Sequence, residues 1–137
     1  MKTKIRATVV AACTLGLLSA ATPALADATV VSVGDGTLLA KGAAVSIPVT
    51  YTCAVGESWS LDAQLSQKIS QGRITKGGTQ VGTNCTGANE TVNLSISPEG
   101  QLAFKSGSGL LHVTVFSCGD QGCQFTSSDY TISIKNK

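Results

Sequence analysis

Residues 44–53, Ala44-Val45-Ser46-Ile47-Pro48-Val49-Thr50-Tyr51-Thr52-Cys53, decide the fold, because apolar and polar side chains alternate there without a break. Val45, Ile47, Val49, Tyr51 and Cys53 share one face, while Ser46, Pro48, Thr50 and Thr52 share the other. A period of two over this length is the mark of a half-buried antiparallel strand. Pro48 removes one ladder donor, which predicts an edge or bulged position for that strand.

The same alternation recurs on both sides of this segment. Trp59, Leu61, Ala63 and Leu65 alternate with Ser60, Asp62, Gln64 and Ser66, and Val92, Leu94 and Ile96 alternate with Asn93 and Ser95 before Pro98-Glu99-Gly100. Leu111, Val113 and Val115 then oppose His112 and Thr114, and Tyr130, Ile132 and Ile134 oppose Thr131, Ser133 and Lys135. With Thr29 to Val33 before the Gly34-Asp35-Gly36 turn, and a weaker strand around Ile74 or Val81, the count is about seven. Helical periodicity is absent after residue 26. Short strands at this spacing predict an all-β fold, an immunoglobulin-like Greek-key β-sandwich. The Gly-rich stretches Lys76-Gly77-Gly78 and Ser106-Gly107-Ser108-Gly109 are expected to be turns. No internal repeat or second domain is visible.

Ahead of the first strand lies a stretch of targeting character. Lys2, Lys4 and Arg6 form a basic start, Ala7 to Ala20 are mostly apolar, and Ala24-Leu25-Ala26 offers small residues for cleavage. This predicts a secretory signal over 1–26, cut before Asp27, and a single domain over 27–137. Val10-Ala11-Ala12-Cys13 resembles a bacterial lipobox, but the apolar stretch between Arg6 and Cys13 is unusually short, so Cys13 is expected to be an ordinary apolar signal residue.

Three of the ten basic residues lie in that segment, which leaves seven against eight acidic ones and a net charge of −1 over 27–137. No basic patch remains to neutralise phosphates, which argues against a nucleic-acid partner, and the same holds for attraction to a membrane surface. A chain of this length can bury roughly 65% of its unfolded surface, so cross-links would add useful margin.

Cys53, Cys85, Cys118 and Cys123 follow the signal, and an even count in an exported chain is read as two disulfides. Three connectivities are open. An immunoglobulin domain would join Cys53 to Cys118. Parity opposes this, since Cys118 falls on the face of Phe116, Thr114 and His112 and not on that of Val113 and Val115. The expected pairing is Cys118 with Cys123, across Gly119-Asp120-Gln121-Gly122, and Cys53 with Cys85.

Catalysis has little support in the sequence. His112 is the one histidine and is expected on the solvent face, with no local carboxylate to orient it. Asp35, Glu57, Asp62, Glu90, Glu99, Asp120 and Asp129 are scattered singly. Cys118 and Cys123 with one distant histidine make a poor zinc set, and Asp35 lacks the sequential oxygen ligands of a calcium loop, so neither metal nor cofactor is expected. Asn84-Cys85-Thr86, Asn89-Glu90-Thr91 and Asn93-Leu94-Ser95 match the glycosylation pattern but overlap a disulfide and strands, and are read as chance.

The segment Cys118-Gly119-Asp120-Gln121-Gly122-Cys123-Gln124, with Ser128-Asp129 and a closing strand of alternating Ile, resembles the C-terminal part of the neocarzinostatin-type apochromoproteins of actinobacteria. The resemblance implies a secreted immunoglobulin-like β-sandwich with two local disulfides and a cleft for a small hydrophobic molecule. Thirty-one residues separate Cys53 from Cys85, a far longer loop than that family has, so its cleft floor does not transfer. The alanine-rich signal and the strand-rich chain after it resemble uncharacterised actinobacterial secreted domains of similar size. Val30-Val31-Ser32-Val33 through Thr50-Tyr51-Thr52-Cys53 is faintly similar to actinobacterial inhibitors of subtilisin-like proteases, whose reactive-site segment has no counterpart here.

The expectation is therefore a secreted, monomeric, non-enzymatic domain that binds a protein or small-molecule partner. The candidate binding loop is Gly119, Asp120, Gln121 and Gly122 with the outward Phe116. A carrier of small hydrophobic molecules and an extracellular protease inhibitor are the alternatives.

Overall fold

A computed structural model describes residues 28–137 of the chain, so the expected signal, its cleavage point and Cys13 lie outside the described residues. Eight strands follow one another: β1 Thr29–Val33, β2 Gly36–Leu39, β3 Ala44–Thr52, β4 Ser58–Lys68, β5 Ile74–Asn84, β6 Glu90–Pro98, β7 Gly107–Gly119 and β8 Gly122–Lys135. The described chain is all-β, apart from single 3-10 turns at Ala40–Gly42 and Ser70–Gly72.

β3 sits at the centre of one half. It pairs antiparallel with β6 along one edge, and its other edge is shared by β2, opposite Ala44–Ser46, and β1, opposite Val49–Thr52. The other half is the antiparallel run β8–β7–β4–β5. Two short ladders join the halves: β2 runs parallel to β8 at Gly36↔Ile134 and Thr37↔Lys135, and β5 meets β6 at Gly77↔Pro98 and Gly78↔Ser97. The pairing thus closes into a mixed ring of seven strands with β1 outside it. The all-β expectation holds, with eight strands against the expected count of about seven, and the pairing is continuous around the ring where two separate sheets were expected.

The corners exist because glycine lets backbones approach closely. A Cβ at Gly77 would lie 2.1 Å from the Ser97 carbonyl oxygen, and one at Gly36 would lie 2.8 Å from Val45 Cγ1. Gly77 and Gly78 are accordingly inside β5, and Gly107 to Gly109 open β7, so neither stretch is the turn expected of it. Pro48 is not on an edge either. Its carbonyl accepts from the Gly34 N–H at 2.9 Å, which turns its missing donor toward the break between β1 and β2, where no ladder bond is lost.

Alternation becomes burial. Val45, Ile47, Val49, Tyr51, Trp59, Leu61, Ala63, Leu65, Leu94, Ile96, Leu111, Val113, Val115, Ile132 and Ile134 fill the interior. At roughly 25 cal/mol per Å² of apolar surface, this burial is the main stabilising term. Phe104, in the β6–β7 connection, is also buried, with its N–H donating to the Gly42 carbonyl at 3.0 Å. It follows Leu102 and Ala103 in an apolar run of three, which is too short to give a periodic signal.

Candidate functional site

Both disulfides lie at the same end of the molecule. Cys53 is joined to Cys85 and Cys118 to Cys123, and Ser58 pairs with Asn84 on one side and with Cys118 on the other. The Glu57 carbonyl accepts from the Cys85 N–H at 3.1 Å, and the Glu57 side chain lies against Gly119, so one residue spans the two bridged segments. No helix among the described residues is long and apolar enough to cross a membrane.

Gly119, Asp120, Gln121 and Gly122 form the tip of the β7–β8 hairpin, with Gly119 opposite Gly122 and a two-residue turn between them. All four are exposed, and Gly122 takes φ +112°, a conformation glycine adopts without strain. Directly behind the tip, Cys118 opposes Cys123 and Phe116 opposes Phe125. Phe116 is 44% exposed and Phe125 76%, so the register puts two exposed aromatic side chains on the same outer face. Phe125 was absent from the candidate set, because it stands in a polar run without hydrophobic periodicity. Pairing through the Cys118–Cys123 turn is the signal that would have found it.

Register also brings Asp129 opposite His112. The imidazole Nδ1 lies 2.6 Å from Asp129 Oδ1, Nε2 lies 3.4 Å from Thr114 Oγ1, and Thr114 Oγ1 is 2.8 Å from Ser127 Oγ. The histidine therefore does have an orienting carboxylate, seventeen residues away in sequence and one strand away in space. Hydroxyl, imidazole and carboxylate follow the order used in nucleophilic catalysis, but other requirements are unmet. The group lies on an open strand surface, with His112 and Asp129 side chains 45% and 63% exposed. β7 is flanked by β4 and β8, so its own amides beside His112 and Thr114 are committed to ladders.

A second network sits at the disulfide end. Tyr51 Oη donates to Glu90 Oε2 at 2.8 Å, and the Thr86 hydroxyl donates to Glu90 Oε1. Those two hydroxyls, Thr86 first, hold the Glu90 carboxyl below the usual carboxylate value. Burial, reinforced by Glu90, pushes the Tyr51 phenol up to about 12. Tyr51 packs on Trp59 with ring centroids 3.9 Å apart, and the indole N–H lies beside the phenol oxygen without a well-formed hydrogen bond.

Between the two halves, where β1 faces the first part of β8, runs a groove of about 150 Å³ lined by Val30, Val113, Val115, Thr126, Ser128 and Tyr130. Thr126 and Ser128 point to the core side yet are exposed, so the interior is open along this flank. No group of three or more metal-ligating side chains occurs among the described residues.

No family model matches the sequence. No curated protein matches it. Among solved structures, the crystal structure of AggA, the major subunit of aggregative adherence fimbriae type I from Escherichia coli, is similar with a TM-score of 0.39 and 14% identity, over 81% of this chain and 96% of that one. A likeness this slight assigns neither fold nor function.

Proposed function

We propose that the chain is an exported, non-catalytic interaction domain that meets its partner with the outer face of the β7–β8 hairpin. The observation that carries this reading is the Phe116–Phe125 pair, two exposed aromatic side chains at opposed positions on one face behind a disulfide-bridged tip. Aromatic side chains give large contact area at low entropic cost, and a cross-linked hairpin loses little freedom on binding. Thr114, Ser127, His112 and Asp129 supply polar groups beside the rings. The two disulfides fit an oxidising, extracytoplasmic setting.

For the architecture, the finer reading is an immunoglobulin-like Greek key. It is supported by the shortness of the two corner ladders, which leaves β1, β2, β3 and β6 on one side and β8, β7, β4 and β5 on the other. The neocarzinostatin-like carrier is less well supported, because the groove beside β8, about 150 Å³, is small against the roughly 300–1,000 Å³ of sites for drug-sized ligands, and the hollow of about 440 Å³ at the β2–β8 corner is lined by Lys41, Asn136 and Lys137 as well as by Leu38, Leu39 and Ala40. An inhibitor that offers an extended loop to a protease is also poorly served by a two-residue turn.

The test is binding of the fluorescently labelled chain to intact cells and envelope fractions of the producing culture, compared with the Phe116→Ser/Phe125→Ser double variant. Both positions are exposed, so the fold should survive. Saturable binding that falls about tenfold or more in the variant is the expected result, in line with aromatic hot spots. Equal binding by both proteins, or a discrete small molecule released from the native protein on denaturation, would overturn the reading.

A further inference from the structure

The long edge of β8 is the feature this function does not use. In a two-residue hairpin the closing pair, Gly119 and Gly122, is hydrogen-bonded, so Cys118 and Cys123 form the next, non-hydrogen-bonded pair. Their Cα atoms are 4.1 Å apart, as such a pair requires. Counting on along β8, the backbone groups of Phe125, Ser127, Asp129 and Thr131 turn away from β7. Ser133 continues the series, opposite Ser108 in the next such pair. Among the described residues, no strand pairs with this side of β8 before Ile134 meets Gly36. The edge carries one charge, Asp129, already bound to His112, and has neither lysine nor proline, the usual guards of a free edge.

We propose that this edge is a homodimer interface, in which β8 of a second copy pairs antiparallel with β8 about a two-fold axis at Ser128. This goes beyond the hairpin-face reading and departs from the monomer expected from the sequence. Three properties of the chain favour a second copy as the occupant.

The first is chemical fit in this register. Antiparallel pairing centred on Ser128 sets Ser127 opposite Asp129, Phe125 opposite Thr131 and Thr126 opposite Tyr130. A serine hydroxyl then meets a carboxylate oxygen, and aromatic rings meet β-branched side chains, which are favourable cross-strand pairs. Centring on Asp129 would oppose two carboxylates, and centring on Ser127 would set Asp129 against Phe125. The second is charge. Residues 27–137 hold seven basic and eight acidic side chains, a net charge of −1, so two copies approach with little repulsion. The third is the groove. The partner's Thr126, Ser128 and Tyr130 arrive on the core-side face, over the opening lined by Val30, Val113 and Val115. The interface is isologous and closes after two copies, so it ends the edge and does not propagate it.

Sedimentation velocity on the purified chain from low to high micromolar concentration should show a monomer–dimer equilibrium. Ser128→Cys should yield a covalent dimer linked 128 to 128 under mild oxidation, since the two residues are directly opposed in a non-hydrogen-bonded pair. Ser127→Cys, facing Asp129, should cross-link far less. Ser128→Asp should weaken dimerisation about tenfold or more by opposing two carboxylates. Ser128 is exposed, and an unchanged circular dichroism spectrum separates loss of association from loss of fold. A monomer at every concentration without a 128–128 link, or a dimer indifferent to Ser128→Asp, would overturn the proposal.

Discussion

Gln67 shows how one side chain can hold a loop that has no strand of its own. It is 3% exposed, its Nε2 donates to the Lys105 carbonyl at 2.7 Å, and its Oε1 accepts from the Lys105 N–H at 2.9 Å. The amide thus imitates a ladder partner for the β6–β7 connection, beside Thr75, whose hydroxyl donates to the Leu102 carbonyl at 2.6 Å. Replacing Gln67 by Ala removes both bonds and leaves a backbone pair to find water. Urea denaturation of the Gln67→Ala variant should show a loss of about 1–3 kcal/mol. Nothing in the sequence marked this residue. Gln67 continues the buried parity of Leu65, Ala63 and Leu61, but a polar side chain at a core position reads as the end of a strand until its partner is known.

At the level of elements, the strands were legible and their corners were not. Every strand with an unbroken period of two, from Val45 to Tyr51 and from Trp59 to Leu65 above all, is present with the expected face buried. Parity likewise placed Cys118 on the face of Phe116. Gly36 and Gly77 were read as turns because glycine signals both a turn and a close backbone approach, and only the pairing partner tells which. The two corners should differ in tolerance. Gly77→Ala drives a methyl group into the Ser97 carbonyl and should cost about 1–3 kcal/mol in thermal or urea unfolding, whereas Gly36→Ala meets the movable side chains of Val45 and Ile134 and should cost less. β8 allows a second check. In dilute solution the amides of Phe125, Ser127, Asp129 and Thr131 should exchange with solvent faster than those of Thr126, Ser128 and Tyr130, which donate to β7. Uniform protection along β8 would mean the edge is already covered.

For the molecule as a whole, charge and cross-links set the conditions in which the ring survives. By the loop-closure estimate the Cys53–Cys85 bridge, at a separation of 32, contributes roughly 3–4 kcal/mol and the Cys118–Cys123 bridge, at 5, roughly 2. Both tie down the end where the Tyr51–Glu90–Thr86 network lies, while Lys135 holds Asp35 at the β2–β8 corner. The hydrogen bond and charge of Lys135 keep the Asp35 carboxyl below its usual value of 3.8, as Thr86 and Tyr51 keep Glu90 below 4.5. A carboxyl whose folded value is lowered contributes stability that is complete above its unfolded value and is lost as pH falls through the folded one. Tyr51 acts in the opposite direction. Its folded value is raised from 10.0 to about 12, so its contribution is complete below pH 10 and is lost as pH climbs through about 12. Unfolding midpoints measured across pH should therefore form a plateau between about 5 and 9, with an acid shoulder below about 4.5 that shrinks in Glu90→Gln and in Asp35→Asn. An acid limb unchanged in both variants would show that these networks, one at the disulfide end and one at the opposite corner, do not contribute to closing the ring.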